Sequence, residues 1–491
     1  MGFTRREALA GGAAATGLLL GQPSAAQGTK TRYSATSPTG KAMLVKYARA
    51  VDLMRNKVAA GDPRHWDFQW YSHWIPGPQE WRAAEARKAE TIARIYGPGP
   101  SANRSLAQAM WNGCQAHGDN PANPSQFQTT YFLPWHRYFV YYFEQIVRGV
   151  LQDDSFTLPY WDYLGGSVAD LCIPPEFYED RSSPLFQANR NSWVNRGERI
   201  DKQNPGTLNL DAFNYRYYIS ADELTGFCPT LDGNPHGLVH DYTGDPNNMG
   251  YVPTAAGDPV FWLHHSNIDR LWASWNRMGN ANPVWDNRQF PFADAAGRGV
   301  MVTLNGASST AQLGYGYDAY QQVPASARKV SAAPLFANLA PLAALAPAAV
   351  AKGVALSTSR PIQVKLAAPP AAANAMNLMA TAPAGGSVWL TLSGIHVMEA
   401  FDGAYNVYVG LPEGAEPGGP DSPNYVGTFG SFMFAGHMHH GGGPSLVFDI
   451  TARVADLTAR GQLPASPTVT FAPKGEITAA PTVASVAIVS G

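Results

Sequence analysis

The segment HRYFVYYFEQIVR, residues 136–148, is the feature that most constrains the fold. Its apolar side chains fall on most sides of a helix, so the segment predicts a helix that is buried in the protein. A helix over 41–56, with one apolar stripe, and another over 269–278 are also predicted. Long stretches rich in proline, glycine and asparagine, such as 173–218, predict extended loops between the helices. We therefore expect a helical core wrapped in irregular segments.

The chain length and a change in composition indicate more than one domain. With 491 residues, the chain exceeds the size of one small domain. Residues 323–355 form an alanine- and proline-rich run that predicts a linker. Beyond it, short β-prone segments separated by turn residues predict an all-β sandwich or barrel over 356–491. The expected fold is a mainly α domain with long loops over 33–322, followed by this C-terminal β domain.

The composition excludes two classes of partner. A net charge of -2 without a basic run gives no electrostatic footprint for nucleic acid. After the N-terminus, no segment reaches the roughly 18 unbroken apolar residues of a membrane span, so no stable membrane association is expected.

The N-terminus resembles an export signal. Arg5 and Arg6 precede a short, weakly apolar segment and a small-residue cleavage pattern near Ala26. The apolar run is too short to span a membrane, so residues 1–27 predict a signal peptide. The arginine pair favours the twin-arginine route, with a general secretory signal as the alternative. The protein is expected in the periplasm or outside the cell.

The chain has three cysteines, Cys114, Cys172 and Cys228. In an oxidising compartment, three cysteines allow one disulfide and leave one thiol. We expect Cys172 to pair with Cys228, which leaves Cys114, three residues before His117.

Two short segments place histidines at spacings that suit a metal ion. His236 and His240 stand four apart in NPHGLVHDY, which puts both imidazoles on one face of a helix. His264 and His265 are adjacent and point in different directions, so at most one is expected to join the first pair. Three imidazoles would make a site suited to copper, zinc, iron or nickel. The alternative is a pair of exposed helix histidines.

Three acidic or amide side chains close to the second histidine pair are candidates to orient the imidazole rings. They are Asp258, Asn267 and Asp269.

Four motifs resemble a known family. DPVFWLHHSNIDRLW (258–272) is similar to the second copper-binding signature of the tyrosinase, catechol oxidase and molluscan haemocyanin superfamily, and FLPWHRYFVYYFE (132–144) to the first. PYWDY (159–163) and LGYGY (313–317) resemble further elements of its polyphenol oxidases. The resemblance covers about 66–320 and implies a four-helix core that binds two copper ions, CuA and CuB, each through three histidines.

The resemblance assigns the CuB ligands directly. It implies that His236, His240 and His265 bind CuB, with His264 either packing in the core or supporting a ligand from outside the metal's coordination shell. For CuA it implies His136, which is surrounded by aromatic side chains.

The rest of the CuA site departs from the family pattern. Most relatives place a ligand nine residues before His136, and this chain has Phe127 there. Either the CuA site is degenerate, or a loop insertion makes His117 the ligand, an insertion that adds little loop-closure entropy. The third ligand would be His73 in WDFQWYSHW, with His65 as the weaker candidate. Cys114 either forms a thioether to His117, as in some relatives, or remains a free buried thiol.

The resemblance also implies substrate-facing positions. Gly237 and Asp241 directly follow the two CuB histidines, and Asp241 would accept a phenolic proton or a cationic substrate group. Phe261 is expected to pack against the imidazoles.

Four more histidines lie in the β domain, at His396, His437, His439 and His440. They suggest either copper delivery, since Met438 stands among them, or a flexible polar loop.

The function implied by the resemblance is a copper-dependent oxidase that uses O2 to convert phenols or catechols to o-quinones. It would remain latent until the C-terminal domain, which resembles the domain covering the active site in latent relatives, or the linker is cut. Two alternatives stay open: a haemocyanin-like oxygen carrier, and a degenerate binding protein with only CuB occupied. Phenol and O2 are the expected partners, and the sequence does not determine the oligomeric state.

Overall fold

The computed structural model divides into a helical part and a C-terminal β part, as expected. The described residues are 19–20, 29–73, 92–97, 99–115, 131–220, 224–244, 248–323, 347–367, 387–397, 403–432, 445–463 and 466–490. The predicted signal peptide therefore lies outside the described residues, except for 19–20.

Most of the helices belong to the first part of the chain. They are Pro38–Asn56, Trp66–Tyr71, Ala102–Gln115, Phe132–Leu151, Phe227–Leu231, Leu238–Thr243, Val252–Ala255, Pro259–Arg277 and Thr451–Ala459. A π-helical turn occupies Asp232–Gly237, and 3-10 turns occupy Ala169–Leu171, Pro175–Phe177, Val194–Arg196, Asp211–Asn214 and Leu304–Ala307. The three helices predicted from the sequence are confirmed, and each is longer than predicted. The loop character of 173–218 is also confirmed, because its regular structure consists of short 3-10 turns.

The two longest site-forming helices lie against each other in the middle of the helical part. Phe132–Leu151 packs against both Pro38–Asn56 and Pro259–Arg277. Phe143 of one stacks on Trp262 of the other, with ring centroids 3.5 Å apart. Close aromatic packing of this kind makes a rigid support for any side chain that the helices carry.

The start of helix 259–277 is fixed by its cap. The Asp258 carboxylate accepts the backbone N–H of Val260 at 2.9 Å, and Pro259 occupies the first turn. Asp258 also accepts from Arg190 Nη2 at 2.7 Å, with both side chains fully buried. These bonds set the phase of the helix and therefore the direction in which its histidines point.

A buried ionic cluster joins this helix to the end of the helical part. Asp269 accepts from Arg137 Nε at 2.5 Å and from Arg32 Nη1 at 3.2 Å. The hydroxyls of Tyr315 and Tyr317, in the LGYGY segment, donate to the same carboxylate at 2.6 and 2.5 Å. Burial alone would raise the pKa of Asp269, but the two guanidiniums and the two tyrosine hydroxyls together lower it. The LGYGY segment therefore closes the domain onto a charged carboxylate.

The strands lie mainly in the C-terminal part. They are β1 Leu19–Leu20, β2 Lys30–Arg32, β3 Gln289–Ala293, β4 Gly299–Thr303, β5 Tyr315–Tyr317, β6 Ala349–Ala355, β7 Ile362–Lys365, β8 Val388–His396, β9 Ala404–Val409, β10 Tyr425–Gly430, β11 Leu446–Asp449, β12 Thr468–Lys474 and β13 Thr482–Ser490. Two four-stranded antiparallel sheets, ordered β10-β9-β12-β7 and β11-β8-β13-β6, share one hydrophobic core. Of the predicted sandwich or barrel, the structure has the sandwich, but the domain is not all-β because it also contains the helix Thr451–Ala459.

The predicted linker boundary is corrected by strand β6. Residues 349–355, placed in the linker from their alanine content, pair antiparallel with β13 and belong to the sheet. Alanine is a weak strand former, so the segment takes strand structure from its partner and not from its own preference. Residues 324–346 lie outside the described residues.

The β-sandwich contacts the helical part through a buried amide pair. Asn204 Nδ2 donates to Asn406 Oδ1 at 2.7 Å, and Asn406 Nδ2 donates to Asn204 Oδ1 at 2.9 Å. Thr428 of β10 also donates to Asn406 Oδ1, and Asn204 donates to the Tyr242 hydroxyl at 3.2 Å. This network holds the end of β10 beside helix 238–243.

The expected disulfide between Cys172 and Cys228 is wrong, because the two sulfurs are not bonded. Cys172 Sγ donates to the Val168 carbonyl at 3.6 Å, whereas the buried Cys228 is hydrogen-bonded with Tyr218. The pairing was inferred from a count of cysteines, which carries no information on their separation in space. Among the described residues, no helix is long and apolar enough to cross a membrane.

Replacing Asp269 should strongly destabilise the helical part. Asp269→Asn keeps the shape but leaves the Arg32 and Arg137 guanidiniums buried beside a neutral group, so the free energy of unfolding should fall by about 3 kcal/mol or more. Denaturant unfolding of the purified chain measures it. The control is Arg298→Ala, which breaks an ion pair whose arginine side chain is 67% exposed and should leave the free energy of unfolding nearly unchanged. An equal loss in the free energy of unfolding for both variants would contradict the view that the buried ionic cluster stabilises the helical part.

Candidate metal centre

Four buried histidines bring their ring nitrogens together at one place in the helical part. His264 and His265 lie on helix 259–277, His236 on the π-helical turn and His240 on the helix that follows. One ring nitrogen from each lies within 4.8 Å of the others. His240 Nε2 and His265 Nε2 are 3.4 Å apart. Nitrogen ligands in tetrahedral positions about 2.0 Å from an ion stand at nearly this separation.

A second histidine pair lies beside this cluster. His73 follows helix 66–71, and His136 lies on helix 132–151; their Nε2 atoms are 3.1 Å apart. The His136 ring stacks on that of His265, with centroids 4.4 Å apart and planes 13° from parallel. The packing of helix 132–151 on helix 259–277 therefore joins the pair to the cluster.

Burial keeps four of these imidazoles uncharged. It lowers the pKa of His73 to about 3, with the neighbouring His236 adding to the effect. Burial likewise holds the pKa of His240, His264 and His265 well below the usual range, and the nearby imidazoles lower it further. Neutral imidazoles have a lone pair available for a metal at neutral pH, and such nitrogen sites suit copper, zinc, iron and nickel.

Three rings are oriented through the other nitrogen. His136 Nδ1 lies 2.9 Å from the Phe132 carbonyl oxygen, and His240 Nδ1 lies 2.9 Å from that of Met249. His236 Nδ1 lies 2.8 Å from Asp232 Oδ1. A carbonyl or carboxylate acceptor requires the proton on Nδ1, which leaves Nε2 as the bare donor atom. The residues present thus fit a metal bound through Nε2.

The structure places His264 inside the cluster, although the family resemblance did not imply that it is a metal ligand. Its ring stacks on His236, with centroids 5.3 Å apart. Among the described residues neither ring nitrogen of His264 has a hydrogen-bond partner. His265 differs in facing both histidine groups, through His240 and His136.

Several other predicted residues lie away from the cluster or outside the described residues. His65 caps helix 66–71 by accepting from Asp67 N–H at 3.1 Å, and His396 is an exposed residue of β8. His117, the side chain of Cys114, and His437, His439 and His440 lie outside the described residues.

The expectation that nearby acidic or amide side chains orient the rings is wrong for all three candidates. Asp258 caps its helix, Asp269 binds two arginines, and Asn267 accepts from Arg270 Nε at 2.9 Å. Asp232, four residues before His236, supplies a carboxylate instead. The i to i+4 spacing signals it in the sequence, because that spacing places side chains together on a helix.

Aromatic side chains form the wall of the site. The Phe261 ring lies 4.1 Å from that of His265 and 4.9 Å from that of His73, measured between centroids. Phe132 lies 4.8 Å from His136 and 4.7 Å from His236. Gly237 and Asp241 are buried next to the histidines that they follow.

One residue of the site comes from the β-sandwich and was missed from the sequence. Phe432, two residues after β10, stacks on His240 with centroids 3.9 Å apart and planes 4° from parallel. Its backbone N–H donates to Asp241 Oδ1 at 3.0 Å. No periodicity marks Phe432 in FGSFMFAGHMHH, so only the tertiary contact shows its role.

The fold and the site together define a helical domain with a buried, neutral histidine cluster, covered by a β-sandwich. Residues 101–219 and 178–278 match the family model of the common central domain of tyrosinase. Residues 346–490 match a domain of unknown function, DUF7868. The central part of the chain is therefore similar to tyrosinases, and the resemblance read from the sequence is confirmed. The buried histidine cluster fits the copper ions that the resemblance implied.

Individual relatives cover part of the chain. It is 33% identical over 300 residues to tyrosinase HcTyr1 of Hahella sp. (strain CCB-MM4), covering 55% of this chain and 59% of that protein. It is 29% identical over 223 residues to catechol oxidase B, chloroplastic, of Solanum tuberosum, covering 38% and 37%. The chain thus spans less than two thirds of the length of these relatives.

The similarity of fold extends over the whole chain. The structure of latent apple tyrosinase matches with a TM-score of 0.62 at 23% identity, covering 97% of this chain and all of that one. Recombinant latent aurone synthase matches with a TM-score of 0.61 at 18% identity, covering 97% and 92%. A helical core with a C-terminal β-sheet region is therefore shared with latent polyphenol oxidases.

The copper-free chain should lose stability as the pH falls below about 6.5, the ordinary pKa of an imidazole. The buried imidazoles stay neutral in the native state while the unfolded chain takes up protons, so the free energy of unfolding falls with the pH. Denaturant unfolding at several pH values between about 5 and 8 gives the free energy of unfolding as a function of pH. This free energy should fall less steeply with decreasing pH for His240→Asn than for wild type. His396→Asn, at an exposed position, should retain the wild-type slope. Identical slopes in all three proteins would contradict this account.

Proposed function

We propose that this protein is a copper-dependent oxidase that converts o-diphenols, and phenols related to them, to o-quinones. The observation that carries the proposal is the buried cluster of neutral imidazoles on helices of a tyrosinase-type domain. In the overall reaction, two o-diphenols give up four electrons and four protons, and one O2 becomes two waters. Bound copper would supply the electron transfer between substrate and O2.

The ligand set proposed for the copper ions follows the two histidine groups. His236, His240 and His265 would hold one ion, since each is buried and the Nε2 atoms of His240 and His265 are 3.4 Å apart. His73 and His136 would hold the other, together with His117. His264 would pack on His236, because His265 rather than His264 faces both groups.

The protein's own part in the reaction is to hold the imidazoles and to keep the site dry. Carbonyl and carboxylate acceptors on Nδ1 of His136, His240 and His236 hold the rings in one orientation. Phe132 and Phe261 fill the space around the rings, so water is excluded where the substrate ring would bind.

We infer that the enzyme is latent while the sandwich covers this site. Phe432 lies face to face with His240, so a phenol ring and the Phe432 ring compete for the same surface. The Asn204–Asn406 pair holds the sandwich in this position. The fold that the chain shares with latent apple tyrosinase supports the inference of latency.

We also propose that residues 1–27 direct export, by the twin-arginine route, and that the chain divides into a catalytic domain over 33–322, a linker and a covering β domain. The arginine pair and the cleavage pattern in the sequence support export.

The number of copper ions bound per chain should show which of the two adjacent histidines, His264 or His265, is a copper ligand. The purified chain should bind two copper ions and oxidise catechol, and His265→Asn should bind about one copper ion because a nitrogen ligand is lost. His264→Asn should still bind two. Metal analysis with a catechol oxidation assay measures both. One copper ion per wild-type chain would support a degenerate site instead, and reversible O2 binding without catechol turnover would support an oxygen carrier.

Removing the Phe432 ring should activate the full-length enzyme without proteolysis. Its burial stabilises the closed state by about 1.5–3 kcal/mol, so Phe432→Ala should raise the open fraction, and the initial rate of catechol oxidation, about tenfold or more. Phe448→Ala, at a half-buried position of β11, is the matched control and should leave the rate unchanged. Equal rates for Phe432→Ala and wild type would contradict latency through this ring.

A further inference from the structure

The contact between Phe432 and the histidine site has two anchors. Its ring lies on His240, with centroids 3.9 Å apart, and its own backbone N–H donates to Asp241 Oδ1 at 3.0 Å. The Ser431 hydroxyl reaches the same oxygen at 3.4 Å. Asp241 directly follows His240 in the helix, so the two anchors belong to one short stretch of backbone.

The atoms that join the two anchors define a small-molecule skeleton. From the Phe432 ring, the chain runs through Cβ and Cα to the backbone nitrogen, so a nitrogen donor stands two carbons from an aromatic ring. That skeleton is the skeleton of 2-phenylethylamine. In the closed structure, one such unit therefore places its ring on His240 and its nitrogen donor at Asp241 at the same time.

The fit around Asp241 is close. A Cβ atom on Gly430 would lie 2.0 Å from Asp241 Oδ2, so only glycine allows the strand end to approach the carboxylate. Asp241 itself is 3% exposed. When the sandwich moves away, Asp241 loses the N–H and hydroxyl donors of Phe432 and Ser431. A carboxylate in such a pocket gains most from a new donor that is itself charged.

We propose that the preferred substrates are phenols or catechols that carry a cationic amine two carbons from the ring, and that Asp241 is the binding residue that selects them. This inference rests on the proposed phenol oxidase function. In the open enzyme, the substrate ring replaces the Phe432 ring on His240, and its ammonium group replaces the Phe432 N–H at Asp241. A substrate with a carboxylate tail of the same length is disfavoured, because two carboxylates would face each other.

The test uses the full-length, copper-loaded Phe432→Ala chain and three catechols that differ in the tail: dopamine, 4-ethylcatechol and 3,4-dihydroxyphenylpropionate. The ratio of kcat/KM for dopamine to that for 4-ethylcatechol should be about tenfold or more, and the propionate should be the poorest substrate. Adding Asp241→Asn should bring the ratio close to one and improve the propionate relative to dopamine. Adding Asp421→Asn instead removes a carboxylate from an exposed loop of the sandwich and should keep the original order.

A binding measurement that needs no turnover separates this inference from the proposed function. Calorimetry on the copper-free Phe432→Ala chain should show binding of 2-phenylethylamine at least about tenfold tighter than of 3-phenylpropionate, and Asp241→Asn should remove the difference. Where Phe432→Ala does not fold, Phe432→Leu, which also removes the ring, takes its place. Oxidation of all three catechols without a preference for the amine, or equal binding of the two probes, overturns the inference alone. Failure to oxidise any catechol, with the amine still preferred in binding, overturns the proposed function and leaves the amine site intact.

Discussion

The site depends on burying uncharged imidazoles where helix 132–151 crosses helix 259–277. Water is excluded there, and burial lowers the pKa of His240, His264 and His265 so that their lone pairs are free at neutral pH. The stacking of His136 on His265 then brings two histidine groups into one site. Asp269, held by two arginines and two tyrosines, fixes the same helix one turn beyond His265. The metal-binding geometry is thus a consequence of helix packing.

The same physical logic explains why the β-sandwich rests where it does. A histidine site open to substrate exposes an aromatic surface and a carboxylate, and Phe432 and its backbone N–H satisfy both in the closed state. The Asn204–Asn406 pair adds a directional contact between the two parts, because buried amides need partners of defined geometry. Under the proposed function, the same contacts that cover the site would also resemble those of a substrate.

The predictions from sequence that held are those that rest on local patterns. Apolar periodicity predicted the helix at 136–148, and alternating apolar segments predicted the sandwich. The predictions that failed depend on distances between residues far apart in the chain. The Cys172–Cys228 disulfide was inferred from the number of cysteines alone. The alanine-rich composition of β6 did not indicate that this segment pairs with β13. The acids near His265 satisfy arginines or a helix cap, although their place in the sequence suggested ring contacts.

The sequence by itself determined the resemblance to tyrosinases and the spacing that puts His236 and His240 on one helical face, since these depend on residues close together in the chain. Only the tertiary structure decided that His265 faces both histidine groups and that Phe432 lies on His240. These contacts join residues about 130 and 190 positions apart, and packing between separate elements, rather than any local preference, fixes them.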